Sequence, residues 1–372
     1  MSNRKLTLIL GILVMLMPLA ALAVSLEVGP PASGHPPHVS TPIPIVAGDC
    51  CRVDNVLPGF VRTDVGGTPQ HVGGLTIYYL TAQNPGTGLD AVYLDDALAH
   101  GNLRITERVD SNVNELIGEN TGNRPVFLMA GEMIVGGKQN RIIARDLLLQ
   151  PGSGPVAIPV FCGEKRRWDR NGTIPFTGKK TMAPARLRSE LFGKTEQSQI
   201  WNGIAQRLKE GKVRTATEDI QQLYENGEKA RALTACLPRF PRAPKSAVGM
   251  VIYRGSTPRG VEIFGSPALF RALHNKVIAA YLMDFGANDC RRSVKNKRLI
   301  KPESVSAFVE NLINHTQWHP ESSTIPGNCL YRGALFSQGI QAQALLANCS
   351  LVHLGATAHP YIPKPIVLEN PQ

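Results

Sequence analysis

The chain has 372 residues and a formal net charge of +11, with basic side chains gathered at Lys165-Arg166-Arg167, at Lys179-Lys180 and from Arg291 to Lys301. Such an excess favours anionic partners through contacts that weaken with salt, although a solvated surface accounts for each run taken alone. Only 6% of the residues are aromatic and they do not interleave with the basic runs, which argues against a stacking platform for single-stranded nucleic acid and against specific nucleic-acid binding.

Arg4 and Lys5 precede an apolar run over 6–20, and Ala21-Leu22-Ala23 supplies the small-x-small pattern that signal peptidases read. Pro18 interrupts a run already short of the roughly 20 apolar residues that span a bilayer. Residues 1–23 are therefore expected to be a signal peptide cleaved near Ala23. Its removal leaves a net charge of +9, no transmembrane anchor, and a periplasmic or extracellular protein. Residues 24–52 contain a Pro-, Gly-, Ser- and His-rich stretch and read as a tether. Seven cysteines follow, at 50, 51, 162, 236, 290, 329 and 349. In an oxidising compartment they are expected to form disulfides, with at least one thiol free or shared between chains because the count is odd. Cys329 and Cys349 bracket a segment able to fold back on itself and are the first candidate pair. No Cys-x-x-Cys and no paired-His motif occurs, so neither a metal nor a cofactor is expected.

A β-rich domain is expected over 53–171. A strand begins within 53–63, and a firmer one spans 75–80 between Gly73-Gly74 and Asn84-Pro85-Gly86. Leu94 to His100 reads as a short helix with Asp95-Asp96 in its first turn and Gly101 as its stop. Strands over 103–107 and 112–119 lead to a hairpin, in which runs 126–135 and 138–149 flank Gly136-Gly137 as a two-residue turn. That turn sets Val135 opposite Lys138 and Glu132 opposite Arg141, a cross-strand ion pair. Alternation puts Glu132, Gln139 and Arg141 on one face and Met133, Lys138 and Asn140 on the other. A further strand over 156–162 turns Val156, Ile158, Val160 and Cys162 to one side, which makes Cys162 a core thiol rather than a nucleophile.

Residues 172–289 read as a mixed part of the same unit. A polar crossing reaches Thr181. A helix then carries Ile200, Ile204 and Leu208 on one stripe, widened by Trp201 and Ala205. A second helix starts at Thr217 as its cap. Strands over 247–253 and 260–264 precede a helix marked by Leu269, Leu273, Val277, Ala280 and Tyr281. Residues 290–372 read as a C-terminal extension with a helix over 305–313 and strands over 330–335 and 350–355. The architecture expected from this order is α+β, with an N-terminal antiparallel β-sandwich-like part and a C-terminal mixed α/β part.

Three ordered motifs carry a resemblance. Gly131-Glu132 is followed by Gly136-x-Lys138-Gln139-Asn140-Arg141. Ile158-Pro159-Val160 leads to Cys162-x-Glu164 and Arg167-Trp168. Gln199-x-Trp201 precedes Val248-Gly249 and the segment Gly260 to Gly265. Over residues 55–285 the chain resembles the ADP-ribosylglycohydrolase and rhodanese-phosphatase associated protein family. It departs from the family at Met133, where a second acidic residue is common, and at Gly163, where an aliphatic one is. The resemblance implies an association with ADP-ribose and phosphate chemistry and no defined reaction.

The leading functional expectation is a binding module for a phosphate-bearing or other anionic small ligand. Lys138 and Arg141 would supply charge, Gln139 and Asn140 orienting amides, and Glu132 and Glu164 the groups that hold the cations, with Arg167 and Trp168 beside them. A non-catalytic envelope or structural protein ranks second. A hydrolase using Glu132 or Glu164 as general base ranks third, because no Ser-His-Asp order or metal-ligand set accompanies these carboxylates.

Overall fold

The computed structural model describes residues 52–65, 68–82, 89–108, 112–169, 171–172, 174–193, 195–240, 242–286, 300–323 and 325–358. The expected signal peptide, nearly all of the tether, and Cys50, Cys51 and Cys290 lie outside the described residues. Helix α1 (Val53–Phe60) stands where the sequence suggests the start of a strand, and strand β1 (Val61–Val65) follows it. The reason is a four-residue period: Val53 and Leu57 are buried while Arg52, Asp54 and Asn55 face out. Next come β2 (Gln70–Val72), β3 (Leu75–Ala82), β4 (Val92–Tyr93), helix α2 (Leu94–Ala99), β5 (Leu103–Glu107) and β6 (Glu115–Asn120). Gly101, at φ 70°, stops α2 in the left-handed conformation, as the sequence suggests.

The hairpin is real, but its turn is longer than expected and its arms are broken. Its arms are β7 (Val126–Leu128) with β8 (Glu132–Val135), and β9 (Arg141–Ile143) with β10 (Leu147–Leu149). Ile134 faces Arg141 and Met133 faces Ile142, a shift of two residues from the register that a Gly136-Gly137 turn dictates. Both glycines do adopt positive φ, but the connection occupies 136–140. The same register continues through Leu147 opposite Leu128. A two-residue shift preserves the faces of the strands yet moves Glu132 away from Arg141.

Beyond the ribbon lie β11 (Val156–Cys162), β12 (Thr177–Met182), α3 (Ala185–Leu191), α4 (Gln197–Glu210), α5 (Gln222–Glu225) and α6 (Gly227–Cys236). β12 falls inside the expected polar crossing. It reads as polar because it is an edge strand, where exposed Thr177 and Lys180 blunt further pairing. In α4 Ile200, Ile204 and Leu208 are buried as expected, but Ala205 is exposed and Gly203 and Arg207 complete the stripe. Thr217 caps no helix. Glu218 is left-handed at φ 53°, and Asp219 instead turns the chain by accepting from the Gln221 amide at 3.0 Å.

The chain closes with β13 (Ala247–Arg254), β14 (Thr257–Phe264), α7 (Pro267–Phe285), α8 (Pro302–His315), β15 (Gln317–Glu321), β16 (Asn328–Leu335), β17 (Ile340–Ala347) and β18 (Ser350–Ala358). The fold is α+β. A nine-stranded antiparallel sheet runs β1-β3-β13-β14-β18-β17-β16-β15, with β2 on β3. A six-stranded antiparallel sheet runs β12-β8-β9-β11-β6-β5, and a three-stranded one β10-β7-β4. One face of the large sheet packs on α7 and α3 through Ile77, Met250, Leu273 and Val277; the other packs on α1 and α8 through Leu57, Val251 and Leu312. Strands and helix after residue 300 thus complete the large sheet. Cys329 is a buried thiol, so the expected link to Cys349 is not made. Among the described residues no helix is long and apolar enough to cross a membrane.

The ribbon breaks at Met129–Gly131, where Gly131 sits at φ 91° and a Cβ would lie 2.6 Å from Arg188 Cγ. Gly131→Ala is expected to cost about 1–3 kcal/mol from backbone strain, and more from the displaced arginine. The drop in the denaturant midpoint of unfolding measures it.

Candidate functional site

Seven of the eight residues singled out in the sequence gather at the tip of the ribbon; Glu132 does not. The tip folds as it does because a second segment, running from the end of β11 to Trp168, clasps it. Glu164 Oε2 accepts from Arg167 Nε at 2.6 Å, and Arg167 donates to the carbonyls of Gly137 at 3.1 Å and Gly136 at 3.3 Å and to Asn140 Oδ1 at 2.8 Å. Asn140 also accepts from the Gly136 amide at 3.1 Å and donates to Asp219 at 3.1 Å. Tight turns leave backbone carbonyls without partners, and one guanidinium fork satisfies two of them here.

Arg141 is buried and pairs with Glu107 at 3.5 Å and with Gln139 Oε1 at 3.2 Å. The Glu107 carboxylate also accepts from the Lys138 backbone amide at 2.6 Å. Gln139 is itself buried. The charge expected to face a ligand from Arg141 is therefore spent inside the protein. Glu107, Glu218 and Asp219 complete the cluster: Glu218 pairs with Arg166 at 2.6 Å, and Asp219 lies beside Glu164 across a β-bridge. Their positions 31 to 81 residues away from Lys138 hid them; the left-handed Glu218 is the backbone signature of that clasp.

Lys138 is half-buried, with its ammonium 5.5 Å from the ring centroid of Trp168, a side chain 45% exposed. Among the described residues no carboxylate pairs with that ammonium. The loop offers water an indole face and one uncommitted positive charge, on a frame in which Arg141, Arg167 and Glu164 are each neutralised. Lys165 lies similarly over Trp201, at 5.6 Å.

Glu132, fully buried, belongs to a different network. It accepts from Lys276 Nζ at 2.6 Å and from the Met129 amide at 2.8 Å, and Lys276 also reaches Asp95 at 2.9 Å. The expected Glu132–Arg141 pair is thus replaced by Glu132–Lys276, because the register shift sets Glu132 beside the break, toward α7. Burial pushes the Glu132 and Asp95 carboxyls up, with Lys276 opposing it. Burial alone would lower Lys276, but the two carboxylates hold it above the usual lysine value.

A third network fills the other side of the break. Arg188 donates to Glu262 at 2.6 Å and to the Ala130 carbonyl at 3.1 Å. His353 bridges Glu262 at 3.0 Å and Asp146 at 2.6 Å, and Asp146 accepts from the Ala130 amide at 2.7 Å. Arg188, Glu262 and His353 have no exposed surface. Burial would raise Glu262, yet Arg188 and His353 hold it at about 2. Burial would lower His353, yet Asp146 and Glu262 raise it to about 9.

Among the described residues no group of three or more His, Cys, Asp or Glu side chains is arranged to hold a metal. Cys162 is a buried thiol whose ionisation burial pushes up, a packing role as expected.

A β-rich α+β scaffold whose Gly-Gly ribbon is clasped by a Glu-x-x-Arg-Trp segment is the class of protein that these observations define. The family model of the ARG and Rhodanese-Phosphatase-superfamily-associated Protein domain, ARPP-1, matches residues 65–357, and the chain belongs to that family. The match runs well past the 55–285 suggested by the motifs and includes the last strands of the large sheet. No curated protein and no solved structure matches the chain.

Two outcomes are expected. Glu164→Gln frees Arg167 from the turn, costs about 1–3 kcal/mol, and speeds hydrogen exchange at the amides of 136–140 ahead of the rest of the protein. For His353, a folded value above the unfolded one means the stabilisation is full below about pH 6.5 and is lost as pH rises through about 9. The destabilisation caused by His353→Gln, read by chemical unfolding, should therefore shrink by on the order of 3 kcal/mol from pH 6 to pH 10.

Proposed function

We propose that this is an exported binding module for a phosphate-bearing or other anionic small ligand, engaged at the exposed tip of the ribbon. The observation that carries this reading is the Lys138–Trp168 pair: an ammonium with no carboxylate partner among the described residues, held over the face of an exposed indole. A flat ring can stack on the indole while a phosphate meets the ammonium, the combination that an ADP-ribose-like molecule presents. Asn140, Glu164 and Arg167 act as the frame that positions this pair. Arg141 and Gln139 support it from beneath, and Glu132 lies outside it.

Export rests on the Arg4-Lys5, apolar and Ala-Leu-Ala pattern at the start of the chain. A second reading, a non-catalytic envelope or structural protein, draws support from the completeness with which the remaining charges of the cluster are paired. A hydrolase with Glu132 as general base is disfavoured, since Glu132 has no exposed surface and bonds to Lys276. Glu164 is similarly occupied by Arg167.

Calorimetric titration of the mature protein with ADP-ribose, nucleotides and sugar phosphates at low salt tests the proposal. Binding is expected that weakens with salt and falls about tenfold in both Lys138→Ala and Trp168→Ala, roughly 1.4 kcal/mol each. No heat with any of these compounds at low salt would instead support the structural reading. Turnover of a phosphodiester or N-glycosidic substrate lost in Glu132→Gln would restore the hydrolase.

A further inference from the structure

On another part of the surface a cleft of about 550 Å³ opens between the N-terminal end of α4 and the point where β11 changes partner from β6 to β9. Its volume falls within the roughly 300–1,000 Å³ typical of small-molecule sites. None of the residues assigned to the ribbon tip lines it, although Pro159 and Val160 of the second motif do. Its polar lining consists of amides and carboxylates from Asn112, Asn114, Glu115, Glu196 and Gln197, and the Thr195 hydroxyl, which donates to the Glu190 carbonyl; no Lys, Arg or His is among its described lining. An anionic ligand would meet two carboxylates and no cation, so the cleft cannot serve the chemistry assigned to the ribbon tip.

The lining is also fixed in place. The Gln197 amide mimics a neighbouring strand, accepting from the Cys162 amide at 2.8 Å and donating to the Cys162 carbonyl at 3.2 Å. Glu115 is held by Arg108 at 2.6 Å and by Asn112 Nδ2 at 3.2 Å, and Asn112 Oδ1 in turn accepts from the Asn114 amide at 3.0 Å. Against this frame the Asn114 side chain, exposed, makes no hydrogen bond among the described residues. Phe161, also in the lining, is half-buried and packs against the core. Pre-set amide and carboxylate groups beside a partly open aromatic ring fit a molecule that has many hydroxyls along its edges, C–H groups on its face, and no charge.

We propose that this cleft binds an uncharged, hydroxyl-rich ligand of the saccharide class, with Phe161 against the sugar face and Asn114, Glu196 and Gln197 at its hydroxyls. The site is independent of the one assigned at Lys138 and Trp168.

Saturation-transfer NMR of the mature protein with chitotriose and with maltotriose tests this. Transfer to at least one of them is expected, equal at low and high salt and unchanged in Lys138→Ala. Affinity should fall about tenfold in Phe161→Ala and in Asn114→Ala; the second substitution is at an exposed residue and leaves folding intact. Absence of transfer to both sugars in the wild type would overturn the proposal. So would binding that Asn114→Ala and Phe161→Ala leave unchanged, or binding abolished by salt.

Discussion

The structure depends on how the break in the ribbon is satisfied. At Met129–Gly131 the backbone leaves one sheet and enters another, and its polar groups lose their ladder partners in a fully buried place. Asp146 takes the Ala130 amide, Arg188 the Ala130 carbonyl, and Glu132 the Met129 amide. Each of those side chains is charged, so each demands a counter-charge, which Glu262, His353 and Lys276 supply. Ion pairs at this depth repay their desolvation only when geometry and additional hydrogen bonds are good. Here they are: Arg188 and protonated His353 balance Glu262 and Asp146, and Tyr281 adds a hydrogen bond to Glu262 at 2.9 Å. Removing one member of the network would leave an uncompensated charge where the three sheets meet, which is costly.

This requirement ties distant parts of the sequence together. Arg188 comes from α3, Glu262 from β14, Lys276 and Tyr281 from α7, and His353 from β18. The side-chain amides of Asn328 and Gln343 act as surrogate strand partners for the ribbon, at the Leu148 and Asp146 amides. The part after residue 300 is accordingly integral to the architecture.

Much of the fold was legible. The strands near 75–80, 103–107, 156–162, 247–253 and 260–264 and the helix through Leu273 and Val277 follow from alternation and four-residue periods, since one-sided burial writes itself into local pattern. What escaped was non-local. β12 is polar because it is an edge; β15 and β17 were missed, one exposed and one nearly all buried, so neither shows a clean two-residue alternation. The Gly136-Gly137 pair points to a two-residue turn, and both glycines do take positive φ, yet Asn140 and Arg167 stretch the loop and shift the register. For the site, the motifs did bring Lys138 to Arg141 together with Glu164, Arg167 and Trp168. They gave no sign that Glu107 would consume Arg141 or that Lys276 would consume Glu132, because both partners stand far off in sequence.

The order of strands in the large sheet bears on how the chain matures. β3, from near the start, is hydrogen-bonded to β13, and β14 to the last strand, β18. Most neighbours in that sheet lie close in sequence and can pair early, but these two junctions join distant segments, and contacts of that kind are slow to close. A growing chain can pair β3, β13 and β14 with one another, but cannot join this half of the sheet to the other until β18 is made. Until that strand arrives, β14 keeps an unpaired edge on the side that β18 will cover.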